Sequence, residues 1–166
     1  VFCVNTDGAM TLTKVSERWP AQWDEIVEVA QLIDKAGLEF YLPLARWKGY
    51  GGEHNIRLHS FESFTHVSAL AALTRHIALC TTVQVPILPP VFAAKALATL
   101  DVLSGGRLVV GIGVGWMREE FESLDIPPFE QRGAVTDEYI RAFKELWTSD
   151  DPHFEGRHIS FDNINK

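Results

Sequence analysis

Strand-like apolar runs recur roughly every 35 residues along this chain, and each gives way to a helical pattern before the next begins. The runs are Phe2–Asn5, Leu38–Leu44, Ile77–Val85 and Arg107–Gly115. The first two are followed by helical patterns over Ala21–Ala36 and Phe61–Leu73. A third helix is opened by Pro89 and Pro90 and runs to Leu103, and a fourth covers Gly133–Thr148. A short additional helix is expected over Arg118–Leu124. Strict alternation of strand and helix implies right-handed crossovers and a parallel sheet, so the expected class is α/β.

Two parallel folds fit that alternation, and the last strand separates them. Ser104-Gly105-Gly106 reads as a helix stop, followed at once by the run Leu108–Val114, which is apolar or glycine throughout. A strand of that kind is expected to be covered on both faces. Gly111, Gly113 and Gly115 recur on one side of it, so a helix or the planar ring of a cofactor can lie against bare backbone there. A doubly wound dinucleotide fold would need its glycine-rich turn after the first strand, where this chain has Thr6-Asp7-Gly8-Ala9. The G-x-G-x-x-G fingerprint also fails, because Trp116 stands where its third glycine belongs. The unit size suits a TIM-type (β/α)8 barrel, which typically takes about 250 residues. Residues 1–166 supply about four βα units and are read as the N-terminal half of such a barrel domain.

The helices carry further expectations. Trp23, Ile26, Val27, Ala30 and Ile33 form one apolar stripe, with Asp24, Glu25, Glu28 and Asp34 off it. Tyr139, Phe143, Leu146 and Trp147 share one face of the last long helix. The second and third helices are apolar almost all round and need cover on two sides, which predicts a homodimer through them. The tail His153–Asn165 alternates weakly and reads as an extended excursion. The net charge of −7 argues against nucleic acid or an acidic membrane surface as partner. Cys3 and Cys80 lie in apolar runs and read as buried thiols of a reducing, cytoplasmic setting. No apolar run approaches the roughly 20 residues of a membrane span. The first residue, Val1, suggests a trimmed product or a fragment.

In a parallel barrel, function gathers where strands end and βα loops begin. Those positions here are Asn5 and Thr6, the long loop Ala45–Ser60, Thr82–Pro86 and Gly113–Glu120. His54 and His59 lack the carboxylate or cysteine partners of a metal site, so no metal is expected. No G-x-S-x-G elbow or paired cysteine and histidine supports covalent catalysis. Aromatics, bare backbone and few acid–base groups suit a planar cofactor that carries the reaction itself. Trp47 and Trp116 are either loop packing or substrate contacts, and Arg132, beside a helix start, is either solvated or suited to a phosphate.

The runs Leu42-Pro-Leu-Ala-Arg-Trp-Lys-Gly-Tyr-Gly-Gly52, Glu62-Ser-Phe-Thr65, Ala96-Leu-Ala-Thr-Leu-Asp101, Ser104-Gly-Gly-Arg107 and Gly115-Trp116 together resemble the bacterial luciferase-like monooxygenase superfamily. Its alkanesulfonate, dimethylsulfone and pyrimidine monooxygenases look most similar. The resemblance implies a TIM-type barrel, reduced FMN as bound co-substrate, molecular oxygen, and oxygenation of a small organic molecule such as an organosulfur compound. By matching position it places flavin contacts at Asn5, Ala45, Arg46, Thr82, Val83, Gly111, Glu120 and Arg132. It implies a cis peptide at Thr82 and Val83, and Asn5 and His59 match polar residues bordering the same pocket; Trp47 and Trp116 are the candidate substrate contacts and His59 the candidate catalytic group. Gly111 stands where that branch has Asn, and Gly133 where it has Tyr. With Gly113-Val-Gly-Trp-Met-Arg-Glu-Glu-Phe121 and Arg132-Gly-Ala-Val-Thr-Asp-Glu-Tyr139, they resemble the deazaflavin-dependent branch, which transfers hydride. The family pattern continues with four more βα units, so a second half-barrel chain, or a second copy, is the other expected partner. A non-catalytic flavin-binding or structural remnant is the remaining alternative.

Overall fold

The computed structural model describes residues 1–124 and 126–164. They form a mixed α/β structure in two compact units, Val1–Val83 with Leu100–Gly111, and Gln84–Thr99 with Ile112–Lys166. The helices are α1 (Trp23–Lys35), α2 (Ser63–Leu73), α3 (Pro90–Ser104), α4 (Arg118–Ser123) and α5 (Arg132–Thr148). The strands are β1 (Phe40–Tyr41), β2 (Ala78–Gln84), β3 (Leu108–Gly113), β4 (Phe154–Glu155) and β5 (Ser160–Phe161). β1, β2 and β3 form one sheet in that order, with β1 parallel to β2 through Phe40 opposite Ala78 and Tyr41 opposite Leu79. No helix among the described residues is long and apolar enough to cross a membrane.

The strands are shorter than the apolar runs suggest. The expected first strand, Phe2–Asn5, is a single parallel bridge between Phe2 and Leu42. Cys3 takes a φ of 69°, which turns the chain out of extended conformation immediately afterwards. The second run keeps two residues as strand, ending before Pro43, which has no N–H for a ladder. The tail becomes an antiparallel hairpin of β4 and β5, with Phe154 and Phe161 stacked at 5.8 Å; Asn165, the end of the expected tail, lies outside the described residues.

The first unit buries one apolar core. Ile26, Ala30 and Ile33 of α1 meet Val67, Leu70 and Ala71 of α2, Tyr41 of β1, and Ile77 and Leu79 at β2. Within it, His66 Nδ1 donates 3.1 Å to the Glu62 carbonyl, since that oxygen only accepts. Nε2 is therefore the acceptor for the Tyr41 hydroxyl at 3.0 Å. Burial lowers the pKa of His66 and raises that of Tyr41. In the second unit, Tyr139, Phe143 and Leu146 of α5 are buried as the helical spacing predicts. Trp147 stacks on Phe143 and donates its indole N–H to the Ala94 carbonyl at 3.1 Å.

Asp34 departs from its expected place on the solvent side of α1. It is buried, and its carboxylate accepts the backbone N–H groups of Arg75 (2.9 Å), His76 (2.8 Å) and Ile77 (2.7 Å), where the chain enters β2. Glu138 of α5 repeats the device on Arg157, His158 and Ile159 at 2.6 to 3.1 Å, and so holds the β4–β5 hairpin. Arg107 closes the C-terminal end of α2, donating to the carbonyls of Ala71 and Thr74 and to the Thr74 hydroxyl at 2.9 to 3.3 Å.

β3 is not covered on both faces. Val109 and Ile112 are about half exposed, at 50 and 47%, as is Val114 just beyond it, at 44%. Its glycines have packing explanations as well. A Cβ on Gly111 would come 2.7 Å from the Thr81 carbonyl oxygen of the neighbouring strand, so close strand approach fills that space. Gly115 lies beyond β3 with a φ of 77°, and a Cβ there would meet the Phe121 ring at 2.7 Å. The bare side of these glycines is occupied by protein at both positions.

Two outcomes follow. For Asp34, burial raises the carboxyl pKa, but the three backbone N–H groups outweigh that and hold it below its ordinary value. A depressed folded-state pKa contributes stability above the unfolded carboxylate value, lost as pH falls through the folded one. Asp34→Asn should therefore cost about 2 kcal/mol at neutral pH, by loss of charge-assisted hydrogen bonds. In urea denaturation the gap between Asp34→Asn and the parent should close below about pH 4; a pH-independent gap would contradict this account. Gly111→Ala should cost about 1–3 kcal/mol through overpacking against backbone, while Gly133→Ala, with nothing within 4 Å of its Cβ position, should be neutral or stabilising. The same unfolding curves read both.

Candidate functional site

The candidate residues divide between the two units. Asn5, Ala45, Arg46, Trp47, His59, Thr82, Val83 and Gly111 belong to the first, and Trp116, Glu120 and Arg132 to the second.

In the first unit several candidates converge where β1 ends. The buried Asn5 amide donates to the carbonyls of Leu44 (2.8 Å) and Phe61 (3.2 Å) and accepts the Leu44 N–H at 2.8 Å. Both of its N–H groups are thus used on backbone. Thr82 grips the same segment from β2, donating its hydroxyl to the Pro43 carbonyl at 2.6 Å and receiving support at its N–H from Ser63 Oγ at 3.1 Å. Between these two grips the chain leads into Ala45 and Arg46, and Ser60 Oγ holds the Arg46 carbonyl at 3.0 Å. The Arg46 guanidinium is buried, lies 4.4 Å over the Tyr50 ring and donates to the Lys48 carbonyl at 2.9 Å. Val83 is fully buried, and Trp47 is half exposed. Every peptide bond among the described residues is trans, so the cis link implied at Thr82 and Val83 is not present.

His59 sits elsewhere in the same unit, on the wall of a cleft of about 470 Å³ that Asp7, Lys14, Arg18, Glu53 and His54 also line. Asp7 organises this cleft. Its Oδ1 accepts the His59 N–H at 2.9 Å, its own N–H donates to the His59 carbonyl at 3.0 Å, and Arg18 bonds its Oδ2 at 2.6 Å. The sequence marks Asp7 only as part of a Thr-Asp-Gly turn; the partly buried ion pair with Arg18, eleven positions on, leaves no local pattern.

In the second unit Glu120 is buried and accepts the Gln84 side-chain N–H at 2.8 Å. A carboxylate only accepts, so it fixes which way the Gln84 amide points. Gln84 Oε1 is buried without a hydrogen-bond partner among the described residues. Gln84 falls within the expected strand end Thr82–Pro86 but is not singled out there, although it is a long polar side chain at the end of an apolar strand. Arg132 opens the 17-residue α5, with its guanidinium 3.9 Å over Phe129 and Nη1 donating to the Phe129 carbonyl at 2.9 Å. Its Nε is buried without an acceptor among the described residues. No side chain caps α5, and the Cβ position of Gly133 faces open space. The Arg132 backbone N–H already donates to the Phe129 carbonyl, so what suits an anionic group here is the cationic Arg132 side chain beside the open Gly133 position. Trp116 is exposed at 58%. Among the described residues no group of histidine, cysteine and carboxylate side chains could hold a metal ion.

Comparison with known proteins places these residues in context. The chain is 30% identical over 163 residues to the pyrimidine monooxygenase RutA of Bradyrhizobium sp. (strain BTAi1), covering 96% of this chain and 45% of that protein. It is 31% identical over 167 residues to RutA of Variovorax paradoxus, covering 98% of this chain and again 45% of the relative. It thus spans less than half the length of these relatives. Among solved structures, the monooxygenase RslO1 from Streptomyces bottropensis superposes with a TM-score of 0.74 at 28% identity, over 84% of this chain and 41% of that one. A riboflavin lyase, RcaE, solved with modified FMN, shares the fold with a TM-score of 0.82 at 19% identity, over all of this chain and 45% of its own. The luciferase-like monooxygenase family profile matches residues 1–165, and the chain belongs to that family.

Proposed function

We propose that this chain is the N-terminal half of a luciferase-like (β/α)8 barrel that uses reduced FMN and molecular oxygen to oxygenate a small organic molecule. The observation that carries this reading is the family match, which runs through residues 1–165. The start of α5 fits the cofactor. Arg132 and the uncapped first turn, open at Gly133, would hold the FMN phosphate. Asn5, Ala45, Arg46, Thr82, Val83, Gly111 and Glu120 are the further contact positions that the resemblance implies. When bound, reduced FMN supplies the electrons that activate oxygen. The chain's own part is to seat it: the grips of Asn5 and Thr82 on Leu44 and Pro43 set where Ala45 and Arg46 stand. Trp47 and Trp116, both exposed, would contact substrate, with His59 as the acid–base group. The relatives named as pyrimidine monooxygenases make a nitrogen heterocycle the first substrate class to try, ahead of organosulfur compounds.

Two partner arrangements belong to this reading. A continuing half of the barrel would cover the half-exposed Val109 and Ile112 of β3 and Val114 just beyond it. A second copy would cover α2 and α3, whose exposed apolar residues include Leu73, Phe92, Val102 and Leu103.

A deazaflavin is the alternative cofactor, and one titration separates the two. Under anaerobic conditions the protein should bind reduced FMN at micromolar concentration and more tightly than a deazaflavin; the reverse order would overturn the FMN reading. Arg132→Gln should weaken FMN binding about tenfold or more by loss of a charge-assisted contact, and leave riboflavin, which lacks the phosphate, unchanged. Equal weakening of both flavins would remove Arg132 from the phosphate site.

A further inference from the structure

Every hydrogen bond and ring contact that the Arg132 side chain makes among the described residues comes from one residue, Phe129. The Phe129 ring centre lies 3.9 Å from the guanidinium carbon, and the Phe129 carbonyl accepts from Nη1 at 2.9 Å. The same carbonyl accepts the Arg132 backbone N–H, at the end of the single 3-10 turn Phe129–Gln131. Phe129 is itself fixed. The buried Phe121 ring meets it edge-on at 5.2 Å. Phe121 in turn stands 2.7 Å from where a Gly115 Cβ would be, so the glycine just beyond β3 makes room for the ring that backs Phe129. Pro127 and Pro128 restrict the chain entering the turn, and the Gln131 N–H donates to the Pro128 carbonyl at 2.8 Å. All of these residues belong to the second unit.

Such a contact holds an arginine without neutralising it. A cation meets an aromatic ring through the π-face, whereas guanidinium N–H groups point outward in the plane of the group. The second arginine on the same ring is placed differently. Arg118 lies 4.7 Å from the Phe129 ring centre, but its Nη2 is bonded to Glu130 at 2.6 Å. Arg132 has no carboxylate partner among the described residues, so of the two it is the cation open to an anion. A long side chain gives up rotamer freedom when it grips a ligand, and one already held gives up less. We propose that Phe129 is the positioning residue of this anion site. Its ring and carbonyl hold the Arg132 guanidinium ready for a phosphate monoester, and so favour the phosphorylated flavin over the unphosphorylated one. This rests on the phosphate reading of Arg132 given above and adds what makes that arginine competent.

The test compares the parent with Phe129→Leu, which removes the ring and keeps the carbonyl, and with Phe129→Tyr, which keeps both. One readout is nitrogen-15 relaxation of the Arg132 Nε–H in flavin-free protein, a group whose burial protects it from exchange. The other is anaerobic affinity for reduced FMN and for reduced riboflavin. Phe129→Leu should drop the Nε–H order parameter below about 0.6. It should weaken FMN about fivefold and leave riboflavin as in the parent, which also shows that the fold is kept. Phe129→Tyr should restore both readouts. Phe129→Met, which fills the space without a ring, should repeat the Phe129→Leu result and guards against a fold defect peculiar to one variant. An Nε–H that stays ordered in Phe129→Leu, equal weakening of both flavins, or an FMN loss in Phe129→Tyr as large as in Phe129→Leu would each overturn the proposal. Failure of the phosphate reading has its own signature: Arg132→Gln then binds FMN as the parent does, while Phe129→Leu still frees the Nε–H. That result overturns the binding role of Phe129 together with that of Arg132.

Discussion

Strands as short as these leave backbone groups unpaired, and a buried unpaired N–H or carbonyl is costly. β1 is two residues long and the first strand-like run is a single bridge, so the ladder cannot satisfy the segments around them. Buried polar side chains do it instead. Asn5 serves both sides of Leu44 and the Phe61 carbonyl, Thr82 serves Pro43, Asp34 takes three amides at the entry to β2, and Arg107 closes α2. Asn5, Asp34 and Arg107 each answer for several main-chain groups with one side chain, so each is worth more to the fold than an exposed residue of the same type. The same constraint explains Glu138, which completes a hairpin of two-residue strands in the second unit.

That constraint also separates what the chain's pattern discloses from what it hides. Helices disclose themselves well: the stripe of Ile26, Ala30 and Ile33 and that of Tyr139, Phe143 and Leu146 are both buried where a period of 3.6 puts them. Strand length is hidden, because an apolar run looks the same whether it pairs along its length or, as at Phe2–Asn5, turns after one residue. Asp34 and Glu138 are hidden for a related reason. A carboxylate on a helix reads as a solvent-facing residue, and what buries it is a set of amides 41 to 43 positions away for Asp34 and 19 to 21 for Glu138.

The candidate site was legible to the extent that it lies at strand ends. Asn5, Ala45, Arg46 and Thr82 do meet around Pro43 and Leu44, as the convergence of parallel strands requires. Their polar atoms, however, are largely spent on the backbone, so they shape the edge of the site more than they furnish donors to it. The roles of Asp7 and Gln84 leave no local pattern because their partners, Arg18, His59 and Glu120, are brought to them by the tertiary fold.

The glycines of the last strand show how one residue type can carry two opposite readings. Bare backbone invites a planar ligand, but it also lets another strand approach, and at Gly111 the Thr81 carbonyl already stands where a side chain would begin. Gly111 is therefore accounted for by the spacing of β2 and β3, and its difference from the asparagine that the resemblance implies carries no weight for or against either cofactor. Gly133 is the contrasting case. Its Cβ position meets nothing, it stands in the first turn of an uncapped 17-residue helix, and Arg132 beside it has a buried donor without an acceptor. Open space next to unsatisfied donors is a better sign of a bound anion than a missing side chain against filled space. The glycine-rich strand, read as room for a planar ring, is filled by protein at Gly111, while the start of α5, where Arg132 was read as suited to a phosphate, keeps its open space.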